Sequence, residues 1–409
     1  MLKELHLKHV GPAERFDVEF GDRLNIFTGD NGLGKSFLLD VSWWALTKSW
    51  VDQPAYPKRV ETETPEINYF LEDSKELKTS FSFSEQKWRS EKVSLQKPDE
   101  LVIYVRADGS FAAFDPARKP AQTYNFTPDK LWNGLKSGSK VLCNGLIQDW
   151  VSWQRQPDQN LFQKLSEVLK TLSPHPNEWM EPGEPTRISL DDVRDLPTIN
   201  LPYGNLPITQ ASAGMKRILG LAYLVVWLWN EHLIAANLRH RSPTNQIILL
   251  IDEVESHLHP QWQRTILPAI LTVISELWKQ EEVTVQAIAT THAPLVLASI
   301  EPLFDEQKDK LFLFELNEQE VNLAEVPWSK QGDTVGWLTS EVFGLKQARS
   351  KEAEVAIEAA EAYMRHDDLS QFPENLQNRD QIHQELQRVL PGHDPFWPRW
   401  IVTAGVVEV

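Results

Sequence analysis

The chain has 409 residues and a formal charge of −17, with 58 acidic against 41 basic side chains. It is long enough for one large or two ordinary domains, and it carries no general basic coat for nucleic acid. Its apolar (41%) and charged (24%) fractions suit a globular protein, and its single cysteine, Cys143, excludes an internal disulfide framework and fits a reducing cytoplasm.

The first residues, Met1 to His6, alternate polar with apolar, a strand pattern and not a signal peptide. Leu5, Leu7 and Val10, then Phe16, Val18 and Phe20, predict an antiparallel hairpin through Gly11-Pro12. Leu24 to Thr28 is a short strand, and Phe37 to Trp50 reads as a helix stopped near Pro54 and Pro57. Between them stands Gly29-Asp30-Asn31-Gly32-Leu33-Gly34-Lys35-Ser36, which has the spacing G-x-x-x-x-G-K-[ST]. Glycines let backbone N–H groups curl round phosphate oxygens, and the helix N-terminus adds positive charge. Lys35 would reach β- and γ-phosphates and Ser36 would ligate Mg²⁺. Asp30, Asn31, Gly32, Leu33, Gly34, Lys35, Ser36 and Phe37 are therefore the expected nucleotide-binding residues.

Short alternating runs between 66 and 125, such as Thr79–Phe83 and Leu101–Val105, predict further strands. From Thr127 to Leu172 the period turns helical, as in Leu161–Leu169, while 173–208 is rich in Pro, Gly and Asp and reads as loop with short strands. A helical pattern runs from Met215 through Ile218, Leu219, Ala222 and Val226, so Ser212, Ala213 and Gly214 open a helix. Such a start is a natural anion site and equally an ordinary serine cap. The apolar stretch Leu219–Trp229 is too short to span a bilayer and is expected as a buried helix.

Ile247 to Ile251, all Leu or Ile, run straight into Asp252 and Glu253. The run predicts a strand buried on both faces, with acids at the end where open α/β sheets place ligands. Asp252 can hold Mg²⁺ through water, and Glu253 can act as a base toward an attacking water. Val283–Ala289 predicts the next strand, ending in Thr290-Thr291-His292, where His292 either meets a γ-phosphate or closes a turn. His257 and His259 would share one face of a strand, but no third metal ligand stands at useful spacing. Beyond Arg349 come helices at Lys351–Met364 and Arg379–Leu390. The aromatic cluster Phe396, Trp397 and Trp400 suits either a terminal strand and core or a docking surface. Most of the 16 tryptophans are expected in the core, with some as interface anchors.

In this order, Lys35-Ser36, Ser212, Asp252-Glu253 and His292 resemble the ABC-type ATPase head shared by transporter motors and SMC-like DNA-repair proteins. The resemblance covers residues 1–60 and 200–300, and 300–345 loosely. It implies an α/β fold: a mixed or parallel P-loop sheet with an antiparallel β subdomain, a helical insertion and a small helical C-terminal region. The implied boundaries are ATPase lobes at 1–125 and 196–345, the insertion at 126–195, and a partner-docking region at 346–409. It implies ATP and Mg²⁺ as cofactors and a dimer that sandwiches two ATP molecules. Walker A of one subunit would then face Ser212, Ala213 and Gly214 of the other. Ser36 and Asp252 would serve the metal, Lys35 and Glu253 catalysis, and His292 would sense the γ-phosphate.

The chain departs from that pattern in three places. Its signature, Ala211-Ser212-Ala213-Gly214-Met215, lacks the usual Gln; His259 stands where a dimer-contacting Asp is usual; and the Gln of the Mg²⁺ site has only Gln53 and Gln86 as candidates. The short signature with D-E-x-E-x-H-L-H-P is similar to the branch holding OLD-type and anti-phage ATPases. It is most similar to the ATPase subunits of Septu-type defence systems, which pair with an HNH nuclease. About 65 residues follow the head, without a Toprim-like or HNH-like pattern. The resemblance thus implies a cytoplasmic, ATP-hydrolysing subunit of an anti-phage complex, dimeric or higher. It would control a separate HNH-type nuclease, reach DNA through a partner or a local patch, and have no membrane partner. A RecF- or SMC-like repair ATPase stays open, although the charge and the lack of sustained heptads count against it. So does an ATP-clamped scaffold with negligible turnover.

Overall fold

The structure is a computed structural model that describes residues 1–59, 63–72, 76–90, 99–118, 121–173, 180–277 and 283–405. Part of the 173–208 loop expected from composition, 174–179, lies outside the described residues. The chain divides into two compact units, Met1–Gly332 and Asp333–Val409.

The first unit opens with the expected hairpin. β1 (Leu2–Lys8) and β2 (Arg15–Glu19) pair antiparallel with Leu5 opposite Val18 and Leu7 opposite Phe16, and all four side chains are buried. β3 (Leu24–Gly29) enters the glycine loop, and α1 (Lys35–Thr47) leaves it. β4 (Glu66–Leu71), β5 (Leu77–Ser82) and β6 (Lys87–Ser90) extend the hairpin into an antiparallel sheet of order β2-β1-β4-β5-β6. β7 (Leu101–Val105), β8 (Phe111–Asp115) and β9 (Gln122–Phe126) follow as a meander.

The next stretch is helical where the period of 3.6 is clear. α2 (Pro128–Asn133), α3 (Leu146–Arg155) and α4 (Asn160–Thr171) enclose a small hairpin of β10 (Leu135–Ser137) and β11 (Lys140–Cys143) that the apolar pattern did not announce. The Pro- and Gly-rich segment beyond it holds short strands, as expected, and they pair with one another. β12 (Glu181–Thr186), β13 (Leu196–Leu201) and β14 (Gly204–Pro207) form a three-stranded antiparallel sheet.

α5 (Ala213–Leu238) is a 26-residue helix, so Leu219–Trp229 is only its middle. By length and composition this helix could cross a membrane, but 78% of its most apolar window is buried inside the protein. An all-round apolar helix of that kind is a core helix. β15 (Gln246–Ile251), α6 (Pro260–Gln263), α7 (Ile266–Leu277), β16 (Thr284–Thr290), α8 (Pro294–Ile300), β17 (Asp309–Asn317) and β18 (Glu320–Val326) complete the unit.

The central sheet has the order β18-β17-β3-β16-β15-β7-β8-β9, with β17, β3, β16, β15 and β7 mutually parallel. Parallel neighbours need crossover connections and covered faces, which is why β15 is apolar at every position from Ile247 to Ile251. On one face Ile248, Leu250, Ile288 and Tyr104 share a single apolar cluster with Trp43 and Leu38 of α1 and Leu5, Leu7 and Tyr69 of the antiparallel sheet. Ile247, Leu249 and Ile251, on the other face, are equally buried. Each such side chain contributes roughly 1.5–3 kcal/mol relative to an exposed one.

The second unit holds α9 (Thr334–Thr339), α10 (Lys351–Arg365), α11 (Arg379–Val389) and α12 (Phe396–Ala404). Ser350 caps α10 by accepting from the Ala353 N–H at 3.2 Å, with Glu352 and Glu354 in the favourable first turn. The terminal aromatic cluster forms a helix and not a strand. Phe396, Trp397 and Trp400 are buried with Ala356, Ala360 and Leu386 in this unit's own core. The Trp400 and Trp397 indoles donate to His383 Nδ1 (3.1 Å) and the Pro391 carbonyl (2.8 Å), which accounts for both polar ends.

Candidate active site

Three parallel neighbours set up the site. Ile26 of β3 lies opposite Ala289 of β16, and Ala289 lies opposite Ile251 of β15. The loops after Gly29, Thr290 and Ile251 therefore emerge at one edge, where ligands sit in open α/β sheets.

The glycine loop needs its glycines for backbone reasons. Gly29 has φ 123°, and a Cβ there would lie 2.1 Å from the Phe314 carbonyl oxygen of neighbouring β17. Gly34, the N-cap of α1, has φ 107°, and a Cβ there would meet Pro12 at 2.6 Å. Lys35 is buried and donates from Nζ to the carbonyls of Gly29 (2.9 Å) and Asp30 (2.6 Å). Burial lowers its pKa, against the opposing fields of Asp252, Asp30, Glu253 and Glu255. Asp30, Asn31, Gly32 and Ser36 are exposed. Leu33 and Phe37 instead turn their side chains into the apolar core, which leaves only their backbone to face a ligand.

Both acids after β15 hang on one hydroxyl. Thr290 Oγ1 donates to Asp252 Oδ1 at 2.8 Å and accepts from the Glu253 N–H at 2.7 Å. Asp252 is buried, and its N–H donates to the Val105 carbonyl at 2.8 Å. Glu253 takes a left-handed backbone (φ 46°), a conformation that costs a non-glycine residue about 1–3 kcal/mol and clusters at functional sites. His292 Nδ1 lies 3.0 Å from the Gly29 carbonyl, which can only accept, so the ring carries its proton there. Its other nitrogen points at Glu253, 4.0 Å from Oε1.

Two further residues brace this edge, and sequence reasoning missed them. Glu255 accepts from Thr291 Oγ1 (2.8 Å) and from the His292 N–H (2.5 Å), so it fixes the turn that carries His292. Arg217 of α5 is buried and donates to the carbonyls of Asp252 (2.7 Å) and Ser256 (3.4 Å). The one available signal for Arg217 was a charge inside an otherwise apolar helix. For Glu255 it was a third acid beside Asp252 and Glu253.

Ser212 lies apart from the glycine loop. Its Oγ caps α5 by accepting from the Met215 N–H at 3.3 Å. It opens with Gly214, Tyr203, His257, His259 and Trp262 onto a cavity of about 620 Å³ that no residue of 29–37 lines. Gly214 is tight here, since a Cβ would meet the His257 carbonyl at 2.6 Å. His257 sits in a turn (φ 63°) and His259 caps α6, so the pair does not share a strand face. Among the described residues no group of three His, Cys, Asp or Glu side chains could hold a metal.

Neither candidate glutamine lies on a strand of the central sheet. Gln86 occupies the turn between β5 and β6, its amide on the Phe83 carbonyl at 2.8 Å, and Gln53 is exposed beyond α1. The strand that flanks β15 opposite β16 is β7, which ends in Tyr104-Val105, with Arg106 just beyond.

A family profile described as "AAA domain, putative AbiEii toxin, Type IV TA system" matches residues 170–298, and one described as "AAA domain" matches residues 4–167. The chain is similar to Septu protein PtuA of Bacillus thuringiensis, 23% identical over 379 residues and 86% of each chain. It is 33% identical over 98 residues to the "Retron Ec83 probable ATPase" of Escherichia coli, a stretch covering 24% of this chain and 16% of that one. Among solved structures, an SMC head bound to the C-winged helix domain of ScpA aligns over 80% of this chain and 98% of its own, at 14% identity and a TM-score of 0.46. The chain is a P-loop ATPase.

Proposed function

We propose that this protein is the ATP-hydrolysing subunit of a bacterial anti-phage defence complex, and that two copies close head to head on two ATP molecules to control a separate nuclease. The observation that carries the catalytic part is the convergence of the 29–36 loop, Asp252, Glu253 and His292 on one sheet edge, all tied together by Thr290 and the Gly29 carbonyl. The backbone N–H groups of 30–37 cradle the phosphates, and Lys35 leaves its two loop carbonyls to reach the β- and γ-oxygens. Ser36 and Asp252 would hold Mg²⁺ with hard oxygen donors, a set of few protein ligands that suits this cation in nucleotide sites. Bound there, the cation would neutralise charge on the phosphates. Glu253 accepts a proton from the attacking water, and His292, with its proton committed to Gly29, offers Nε2 toward the same space.

The 620 Å³ cavity beside Ser212 supports the dimer reading, because it presents the start of α5 away from the chain's own glycine loop. Similarity to PtuA over 86% of both chains supports the defence role, and a nuclease of the HNH type is the proposed partner. The −17 charge leaves DNA contact to that partner or to a local patch. A cytoplasmic location follows from the same reading.

Glu253→Gln is expected to lower phosphate release by about 10²–10⁴-fold while nucleotide binding persists. Equal release by variant and wild type would remove Glu253 from the reaction. For the partner, the chain is co-expressed with the product of the adjacent gene. Recovery of an HNH-type nuclease in the complex is expected, and a neighbour with no nuclease or toxin sinks the defence reading.

A further inference from the structure

The end of β7 carries residues that the proposed chemistry leaves unused. The Asp252 N–H donates to the Val105 carbonyl, which brings this end against the Asp252 loop. One residue earlier, Tyr104 is fully buried and donates from its hydroxyl to Asp40 Oδ1 at 3.0 Å. Asp40 lies on α1 four residues after Ser36, so the two share a helix face one turn apart. Burial holds its pKa up at about 6; Arg106 opposes this, and Asp252 and Asp52 add to it. Tyr104 needs only an acceptor, and a neutral amide would serve. A carboxylate in the field of Asp252 is an avoidable cost unless a cation stands near both at some stage.

Arg106 completes the picture. It stands just beyond the strand that flanks β15, but a guanidinium has no acceptor and cannot ligate a metal. It is held instead by Asp52 (2.5 Å). We infer that Asp40 serves the metal here: it is the second acid of the nucleotide's Mg²⁺ site, holding the cation through water, with Tyr104 fixing its carboxyl group. This rests on reading the edge as a Mg²⁺–ATP site.

The test is binding of a fluorescent ATP analogue to the full chain, in EDTA and across a Mg²⁺ titration. Wild type is expected to bind more tightly as Mg²⁺ rises. In Asp40→Asn the affinity in EDTA stays as in wild type, and the Mg²⁺ concentration for half-maximal tightening rises about 10–100-fold. Tyr104→Phe, which keeps the acid and loses one hydroxyl, shifts the midpoint in the same direction by less, and it carries the test if Asp40→Asn does not fold. An unchanged midpoint, or equal weakening with and without Mg²⁺, overturns the inference. A wild type whose affinity ignores Mg²⁺ overturns the underlying site reading instead.

Discussion

Two candidate ligand-facing regions of the first unit are built in opposite styles. At the edge of β3, β16 and β15, Asp252, Glu253 and His292 are fixed by Thr290, Glu255, Arg217 and the Gly29 carbonyl before any ligand arrives. Around Ser212 the wall is apolar and open, with Tyr203 78% exposed and Ser212 engaged only in capping its own helix. The first region is preorganised, as chemistry requires. The second has the exposed apolar and helix-end character of a surface completed by something else. If two copies close on ATP as proposed, one half would be rigid in each copy and the other completed by its partner.

Among the tests that separate the two regions, Thr290→Val gives the largest expected effect, because it strips both acids of their shared hydroxyl at little change in shape. Turnover should fall by about 100-fold, and the unsatisfied buried groups should cost about 1–3 kcal/mol of stability. Steady-state turnover and thermal melting check it; unchanged turnover would mean that the rigid half owes nothing to this bridge. Ser212→Asp probes the open half. An aspartate is as good a cap as serine, so the melting temperature should hold. If a partner copy's phosphate meets this helix start, the added charge should lower turnover about tenfold without changing the nucleotide affinity of the separate chain. Normal turnover would sever Ser212 from the reaction.

The smallest effect is in stability against pH. The Asp40 pKa is about 6 in the fold against about 3.9 when unfolded, so below pH 4 the group is protonated in both states and has no influence. As pH rises from 4 to 6 the unfolded state ionises first, and the fold loses stability, fully so above 6. Asp40→Asn should therefore be more stable than wild type by about 1–2 kcal/mol at pH 7.5 without nucleotide, with the gain fading toward pH 4. Thermal melting across that range measures it. A gain independent of pH would locate the effect in packing, not charge.

Much of the rigid half was legible because its signals are local. Gly29 to Ser36 is a contiguous segment whose conformation at Gly29 and Gly34 requires glycine, and Ile247–Glu253 is a run whose polarity changes at one step. The N-terminal hairpin and α5 were equally readable from period 2 and period 3.6. The β12–β14 sheet was less so, since its Pro- and Gly-rich strands lack an apolar alternation. The final aromatic cluster could be strand or helix until its partners in α10 and α11 were known.

What the sequence alone determined is the glycine loop, the two acids after the apolar run and the elements that carry them, because spacing along the chain specifies both. Only the tertiary structure decided which distant residues brace them. Thr290, Glu255 and Arg217 reach Asp252 and His292 through strand order and helix crossover, and no spacing encodes those. It also decided that β7, with Tyr104 and Arg106, flanks Asp252 on the far side from β16. Strand order in a parallel sheet is set by which apolar faces bury together, a property of the whole core and not of any one segment.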